Sequence, residues 1–215
     1  MDVWGPARVR GQGHERYFLL VVDDYSRYTT VFPLRSKGEV TETFTLLASL
    51  QQNGIAERRN GMVMDVARTS MIHAAAPHFL WPFAVQYAAH QINLQPRVSL
   101  LETSPTLRWM GKVGDASAFR IRGSRAFVRD LSANKLSSRA VPCVFLSIPP
   151  DAPGWQFYHP TSRRVLSSQD VTFDESVPYY HLFPYRTAPL PPAAALPRSR
   201  SPPGRPPPPS GSCPL

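Results

Sequence analysis

Apolar residues follow two rhythms along this chain. Residues 17–22 (Tyr-Phe-Leu-Leu-Val-Val) form a continuous apolar run, and after the turn-like Asp23-Asp24-Tyr25-Ser26 a second run covers 28–34. Two such runs around a short polar turn predict an antiparallel hairpin. From 39 to 50 the interval changes, with Val40, Phe44 and Leu47 recurring at helical spacing. With a first strand around Asp2, the opening third reads as three strands and a helix. Asn53 fits the N-cap of a second helix reaching about residue 73, with Ile55, Val63, Val66 and Ser70 along one side. Glu57 shares another face with Gly61, Met64 and Arg68, which holds its carboxylate clear of the core. A third helix is expected over 79–94, and a short one at Ser104-Pro105, where Ser caps and Pro suits the first helical position.

The pattern shortens after residue 117. Runs at 119–121, 126–128, 141–148, 155–158, 164–166 and 170–173 are divided by turn signals such as Asp151-Ala-Pro-Gly154, which predicts a small β-barrel. From 187 onward Pro, Ala, Ser and Arg dominate with no acidic residue, so a disordered or polyproline-like tail is expected.

Composition narrows the partners. A length of 215 residues with 42% hydrophobic content suffices for one or two small domains. The net charge of +9 favours a polyanion such as DNA, although an Arg-containing tail accounts for part of it. Two cysteines, Cys143 and Cys213, make no disulfide framework and suit a reducing compartment. No apolar tract is long enough for a membrane span and the N-terminus lacks a signal-peptide core, so a soluble, intracellular chain without a membrane partner is expected. The six histidines form no metal-ligand spacing. The aromatic set in 79–87 reads as helix core rather than as a base-stacking surface. Arg205-Pro-Pro-Pro-Pro209 has the form of an SH3 or WW ligand, but a flexible spacer is the simpler reading.

Several strings are more specific. Met1-Asp-Val-Trp-Gly-Pro6, the segment 17–27 and Gln51-Gln-Asn-Gly-Ile-Ala-Glu-Arg-Arg-Asn60 resemble the integrase core of copia-type retrotransposon Pol polyproteins. Leu101-Glu-Thr-Ser-Pro-Thr-Leu-Arg-Trp109 resembles that family's Thr-Pro-Tyr-Glu-Leu-Trp segment. Cys143-Val-Phe-Leu-Ser147, the segment 151–160 and Ser168-Gln-Asp-Val-Thr-Phe-Asp-Glu175 resemble the SH3-like barrel that follows the core. Two positions depart from the family: Ser147 stands where Gly is usual, and Arg122 where an aromatic residue precedes Gly123.

The resemblance implies an α/β ribonuclease H-like core whose active site holds three carboxylates and Mg²⁺ for polynucleotidyl transfer. Asp2 matches the first carboxylate and Glu57 the third, as catalytic and metal-binding residues. The second, a strand Asp within a sequence close to Asp-Asn-Gly-Gly-Glu-Phe, has no counterpart, and the break falls between Leu50 and Gln51. Glu15, Asp23, Asp24, Glu39 and Glu42 read as turn or exposed helix residues, not as its replacement. The expected organisation is an N-terminal core part over 1–50 without the fourth and fifth strands, a helical core part over 51–112, an SH3-like barrel over 117–180 that folds independently, and a Pro-rich tail over 187–215. The expected function is that of an inactive integrase fragment that binds DNA non-specifically through Arg58, Arg59 and Arg68, located in the nucleus by family inference, with Mg²⁺ not bound productively. Two alternatives stand beside it: an enzyme whose missing carboxylate is supplied in trans by an intact homologue, and an interaction protein acting through its tail; a homo-oligomer or a complex with that homologue is the expected assembly.

Overall fold

The computed structural model of the chain describes residues 1–40, 53–96, 100, 103–129, 139–149 and 152–182. The expected Leu50–Gln51 break and the tail lie outside the described residues. Glu39 and Val40 are helical, and the rest of the helix expected over 39–50 falls outside them as well.

Three strands, β1 (Asp2–Trp4), β2 (Tyr17–Val22) and β3 (Thr29–Leu34), form an antiparallel sheet in the order β1-β2-β3. The register pairs Asp2 with Leu20 and Val22 with Thr29, so Asp2 sits at the end of the sheet that carries the β2–β3 turn. Pro33, which has no N–H to donate, is tolerated because β3 is an edge of this sheet. In the turn, the Asp23 carboxylate accepts from the Ser26 N–H and hydroxyl, both at 2.7 Å. The hairpin expected here is therefore present with its polar turn.

Helices α1 (Asn53–His73) and α2 (Trp81–Leu94) pack on this sheet, the latter entered through a 3₁₀ turn, His78–Leu80. Phe18, Leu20 and Val31 from the strands meet Ala56, Val63 and Ala67 of α1 and Ala84, Val85, Ala88, Ala89 and Ile92 of α2. The buried stripe of α1 runs through 56, 60, 63 and 67, not through the Ile55, Val66 and Ser70 expected from residue size. Alanines on both helices let the backbones approach closely, so small residues occupy the contact and larger ones flank it. The short helix α3 (Pro105–Met110) is built as expected: the Ser104 hydroxyl accepts from the Leu107 N–H at 3.2 Å, and Gly111 closes it at φ 70. Gly is suited to that left-handed position.

The second sheet has five antiparallel strands, β4 (Ser124–Arg129), β5 (Ala140–Ser147), β6 (Trp155–His159), β7 (Arg164–Ser168) and β8 (Val171–Pro178), in the order β7-β6-β5-β4-β8. A four-residue helix, α4 (Tyr179–Leu182), follows. β5 reads as a continuous apolar run because both of its faces are covered: Cys143 and Phe145 face Ala126, Val128 and Phe157, while Val144 and Leu146 face Leu80, Tyr158 and Tyr180. Buried among these apolar groups, the Cys143 thiol has its pKa pushed up to about 11, and it is an unreactive core residue.

One expected strand, at 119–121, is a loop. Phe119 packs against the second sheet's core while Ile121 is 46% exposed, and the segment is held by a side chain instead of a ladder. The Tyr87 hydroxyl of α2 donates to the Arg120 carbonyl at 2.6 Å and accepts from the Arg120 N–H at 3.0 Å. Both backbone groups a strand would pair are thereby satisfied. Tyr87 itself is 1% exposed and inserts into the second sheet's core, edge-on to Phe145 at 5.4 Å and against Phe119 at 5.3 Å. Residues Met1–Tyr185 accordingly form one compact unit. An independently folding barrel was expected, yet part of its core is supplied by a helix from the preceding segment.

Candidate functional site

The first strand carries one of the two acids singled out by the sequence and the first helix the other, and Asn60 links the strand acid to that helix. On β1, Asp2 is half-buried, one carboxylate oxygen accepting from the Val3 N–H at 2.8 Å and the other from the Asn60 side-chain amide at 2.6 Å. Asn60 lies on α1 three residues after Glu57, so Glu57 is its neighbour one turn away. The Glu57 side chain is exposed, as its helix face predicts. Asn60 fixes Asp2 against α1, a role that sequence reasoning did not assign although Asn60 closes one of the recognised strings.

This donor set can be tested against the metal chemistry the resemblance implies. Two hard divalent ions need several carboxylate oxygens arranged around a shared opening. Among the described residues, no three His, Cys, Asp or Glu side chains gather where they could hold a metal ion. One oxygen of Asp2 is already committed to the neutral Asn60 amide. The other acids of the first segment are engaged locally: Asp23 holds Ser26 and Asp24 pairs with Arg27 at 2.6 Å in the β2–β3 turn, while at the opposite end of the sheet Glu15 accepts from the Gly13 N–H at 2.8 Å and Glu39 from the Arg35 N–H at 3.1 Å. The described residues do not fit a two-metal centre.

The three arginines expected to contact phosphates are divided. Arg58 and Arg68 are exposed, Arg58 donating to the Gly54 carbonyl and Arg68 pairing with Asp65 at 3.0 Å. Arg59 is 5% exposed, and one guanidinium nitrogen donates to the Arg27 carbonyl at 3.4 Å. Its charge is inside the protein and ties α1 to the β2–β3 turn, so it is removed from the exposed phosphate-contacting set. Helical position explains this: Arg59 is adjacent to the buried stripe, whereas Arg58 and Arg68 lie on the outer side.

The two departures from the family have different consequences. Ser147 is fully buried, and its hydroxyl donates to the Gln156 side-chain carbonyl at 2.7 Å where the β5–β6 register shifts, so the extra oxygen is satisfied. Arg122 is 4% exposed, donates from one nitrogen to the Leu80 carbonyl at 3.1 Å, and keeps Nε and Nη1 buried without a hydrogen-bond partner. Its head does not reach water, and burial pushes its pKa down to about 10. A cleft of about 700 Å³ runs between α1, α2 and the 119–122 loop, and its lining includes neither Asp2 nor Glu57. No helix among the described residues is long and apolar enough to cross a membrane.

Comparison with known proteins agrees with these features. The retroviral polymerase SH3-like domain model matches residues 124–183, the segment that forms the second sheet and α4. The chain is 27% identical over 221 residues to the retrovirus-related Pol polyprotein from transposon TNT 1-94 of Nicotiana tabacum, a match covering 81% of this chain and 17% of that protein. It is 23% identical over 230 residues to the Pol polyprotein from transposon RE2 of Arabidopsis thaliana, covering 86% of this chain and 15% of that protein. For the Pol polyprotein from transposon RE1 of the same plant the identity is 24% over 219 residues, covering 81% and 15%. The chain thus spans less than a fifth of these relatives. In the first match, 81% of 215 residues is about 174, against 221 aligned positions, so at least roughly 47 positions of the relative have no counterpart here.

Proposed function

We propose that this chain, a relative of the retrotransposon Pol polyproteins, is a remnant of an integrase core carried with its SH3-like domain, and that it binds nucleic acid without joining DNA ends. The observation that carries this reading is the state of the acids: an amide from Asn60 occupies one side of Asp2 and ties it to α1, the helix that carries Glu57, and no three metal-ligating side chains gather among the described residues. The antiparallel β1-β2-β3 sheet with helices packed on it supports a ribonuclease H-like core that has lost its fourth and fifth strands. The unmatched positions in the relatives support the same loss. Where Mg²⁺ is bound by an intact centre it stabilises the attacking and leaving oxygens; here Asp2 and Glu57 remain as an acidic edge beside exposed Arg58 and Arg68. A protein of this kind works in the nucleus.

The experiment is joining of a labelled DNA end by the pure protein with Mg²⁺ or Mn²⁺, run beside DNA binding at low and high salt. The expected outcome is no joining, with salt-sensitive binding, because phosphate contacts release counterions. Metal-dependent joining abolished by Glu57→Gln would refute inactivity, and absence of binding at low salt would refute the nucleic-acid reading.

One observation favours a second reading, in which an intact homologue completes the site. β1, which carries Asp2, has β2 as its one neighbour in the described sheet, so its other edge is open to a strand from a second chain. Restoration of joining when the protein is mixed with an intact homologue carrying its own Glu→Gln substitution would support it.

A further inference from the structure

Two elements at the Asp2 end of the first sheet leave large rings in water. Trp109 of α3 lies flat on Tyr28, with ring centroids 5.6 Å apart and planes 15° apart, yet Trp109 is 55% exposed. Beside it, Arg108 sets its guanidinium 5.4 Å from the ring of Tyr25, a residue 75% exposed. One Arg108 nitrogen donates to the Tyr25 carbonyl at 3.4 Å, and no carboxylate pairs with Arg108 among the described residues. The acids on the same turn are already occupied, Asp24 by Arg27 and Asp23 by Ser26.

The rings stand on rigid supports. The buried Asn93 side chain of α2 accepts from the Thr29 N–H at 2.8 Å and donates to the Thr29 carbonyl at 2.7 Å, fixing the residue after Tyr28. The Asn93 carbonyl accepts from the Thr106 hydroxyl at 2.9 Å, which fixes α3 to the same helix. Tyr28 and Trp109 are therefore stacked by two elements anchored on one asparagine. The β2–β3 turn is also tied to α1 by Arg59, two residues after Glu57.

We propose that Tyr25, Tyr28, Arg108 and Trp109 form a stacking platform for the unpaired bases of a single-stranded nucleic acid, lying beside the Asp2–Glu57 edge. The proposal rests on the nucleic-acid reading above and narrows it to one class of ligand. Flat exposed aromatic faces accept any base, and an unneutralised guanidinium between them is complementary to the backbone phosphate that joins successive bases. A duplex keeps its bases stacked internally and offers these rings nothing, so its binding depends on Arg58 and Arg68 instead.

The test uses the full chain, with fluorescein-labelled oligo(dT) and a duplex of equal length followed by anisotropy, and Tyr25→Ala/Trp109→Ala as the variant. Stacking is worth about 1–3 kcal/mol per base, so the variant should lose at least tenfold in affinity for oligo(dT). Duplex affinity should change less than twofold, and Trp109→Phe should retain most of the oligo(dT) affinity. Circular dichroism and thermal melting of each variant report whether the fold is kept. Equal losses for both nucleic acids, or no loss for oligo(dT), overturn the platform while leaving the nucleic-acid reading in place. Absence of binding by the unsubstituted chain to either nucleic acid at low salt overturns both, and a Tyr25/Trp109 patch that retains only a protein partner gives that result.

Discussion

Removing the Tyr87 side chain tests whether the helices and the second sheet are one folding unit. Tyr87→Phe deletes the hydroxyl that serves both backbone groups of Arg120. Leaving a buried backbone group without a partner costs about 1–3 kcal/mol, so the variant should lose that much if one of the two stays unsatisfied. Tyr87→Ala also empties the space against Phe145 and Phe119, and deletions of a buried aromatic ring cost about 3–5 kcal/mol. Set against a typical net stability of about 5–15 kcal/mol, the second loss is enough to uncouple the two sheets. Urea unfolding followed by tryptophan fluorescence and far-ultraviolet circular dichroism measures this, since Trp81 reports on the first core and Trp155 on the second. Tyr87→Ala should shift the midpoint strongly and separate the two signals into distinct transitions. The phenol gives an independent check. Burial pushes its pKa up from 10.0 to about 12, so the stability it contributes is full below pH 10 and is lost as pH rises through about 12. A Tyr87→Ala protein with an unchanged midpoint and coincident transitions would refute the coupling, and would restore the picture of a free-standing barrel over 117–180.

Arg122→Met should stabilise the protein by about 1–4 kcal/mol, because it replaces a poorly satisfied buried charge by an apolar chain of similar length; a lower urea midpoint would show that the Leu80 contact outweighs the desolvation. Asn93→Ala should cost about 1–3 kcal/mol by leaving the Thr29 backbone groups unpaired, measured by thermal melting, and no change would mean that water replaces the amide. Burial on α2 lowers the His90 pKa below its ordinary value of 6.5, so the unfolded chain takes up that proton first; stability is full above about pH 6.5 and falls as pH drops towards the folded value. His90→Gln should flatten the urea midpoint between pH 7.5 and 5, and an unchanged slope would assign the acid sensitivity elsewhere.

Much of the local structure was legible without coordinates. The Asp23–Ser26 turn and the Ser104-Pro105 start of α3 each follow from residues that satisfy their own neighbours' backbone groups, and the helix expected from Asn53 begins there. Asp2 and Glu57 were singled out because the strings around them are specific. What could not be read were the choices made by residues with more than one good environment. Tyr87 fits a helix pattern whether its ring enters the first core or the second. Arg58 and Arg59 are adjacent basic residues of one type, and one extra step of 100° around α1 sends one outward and buries the other. Residues 119–121 have a strand's apolarity, but the Tyr87 side chain of another element takes both backbone hydrogen bonds of Arg120 at their centre. Asn93 and Asn60 look like ordinary polar helix residues until Thr29 and Asp2 are placed opposite them. Sequence determines which faces are apolar and where elements start and stop, because those depend on neighbours within a few residues. Tertiary structure decides which partner each face meets, because a buried hydrogen bond or ring contact is settled by residues tens of positions away.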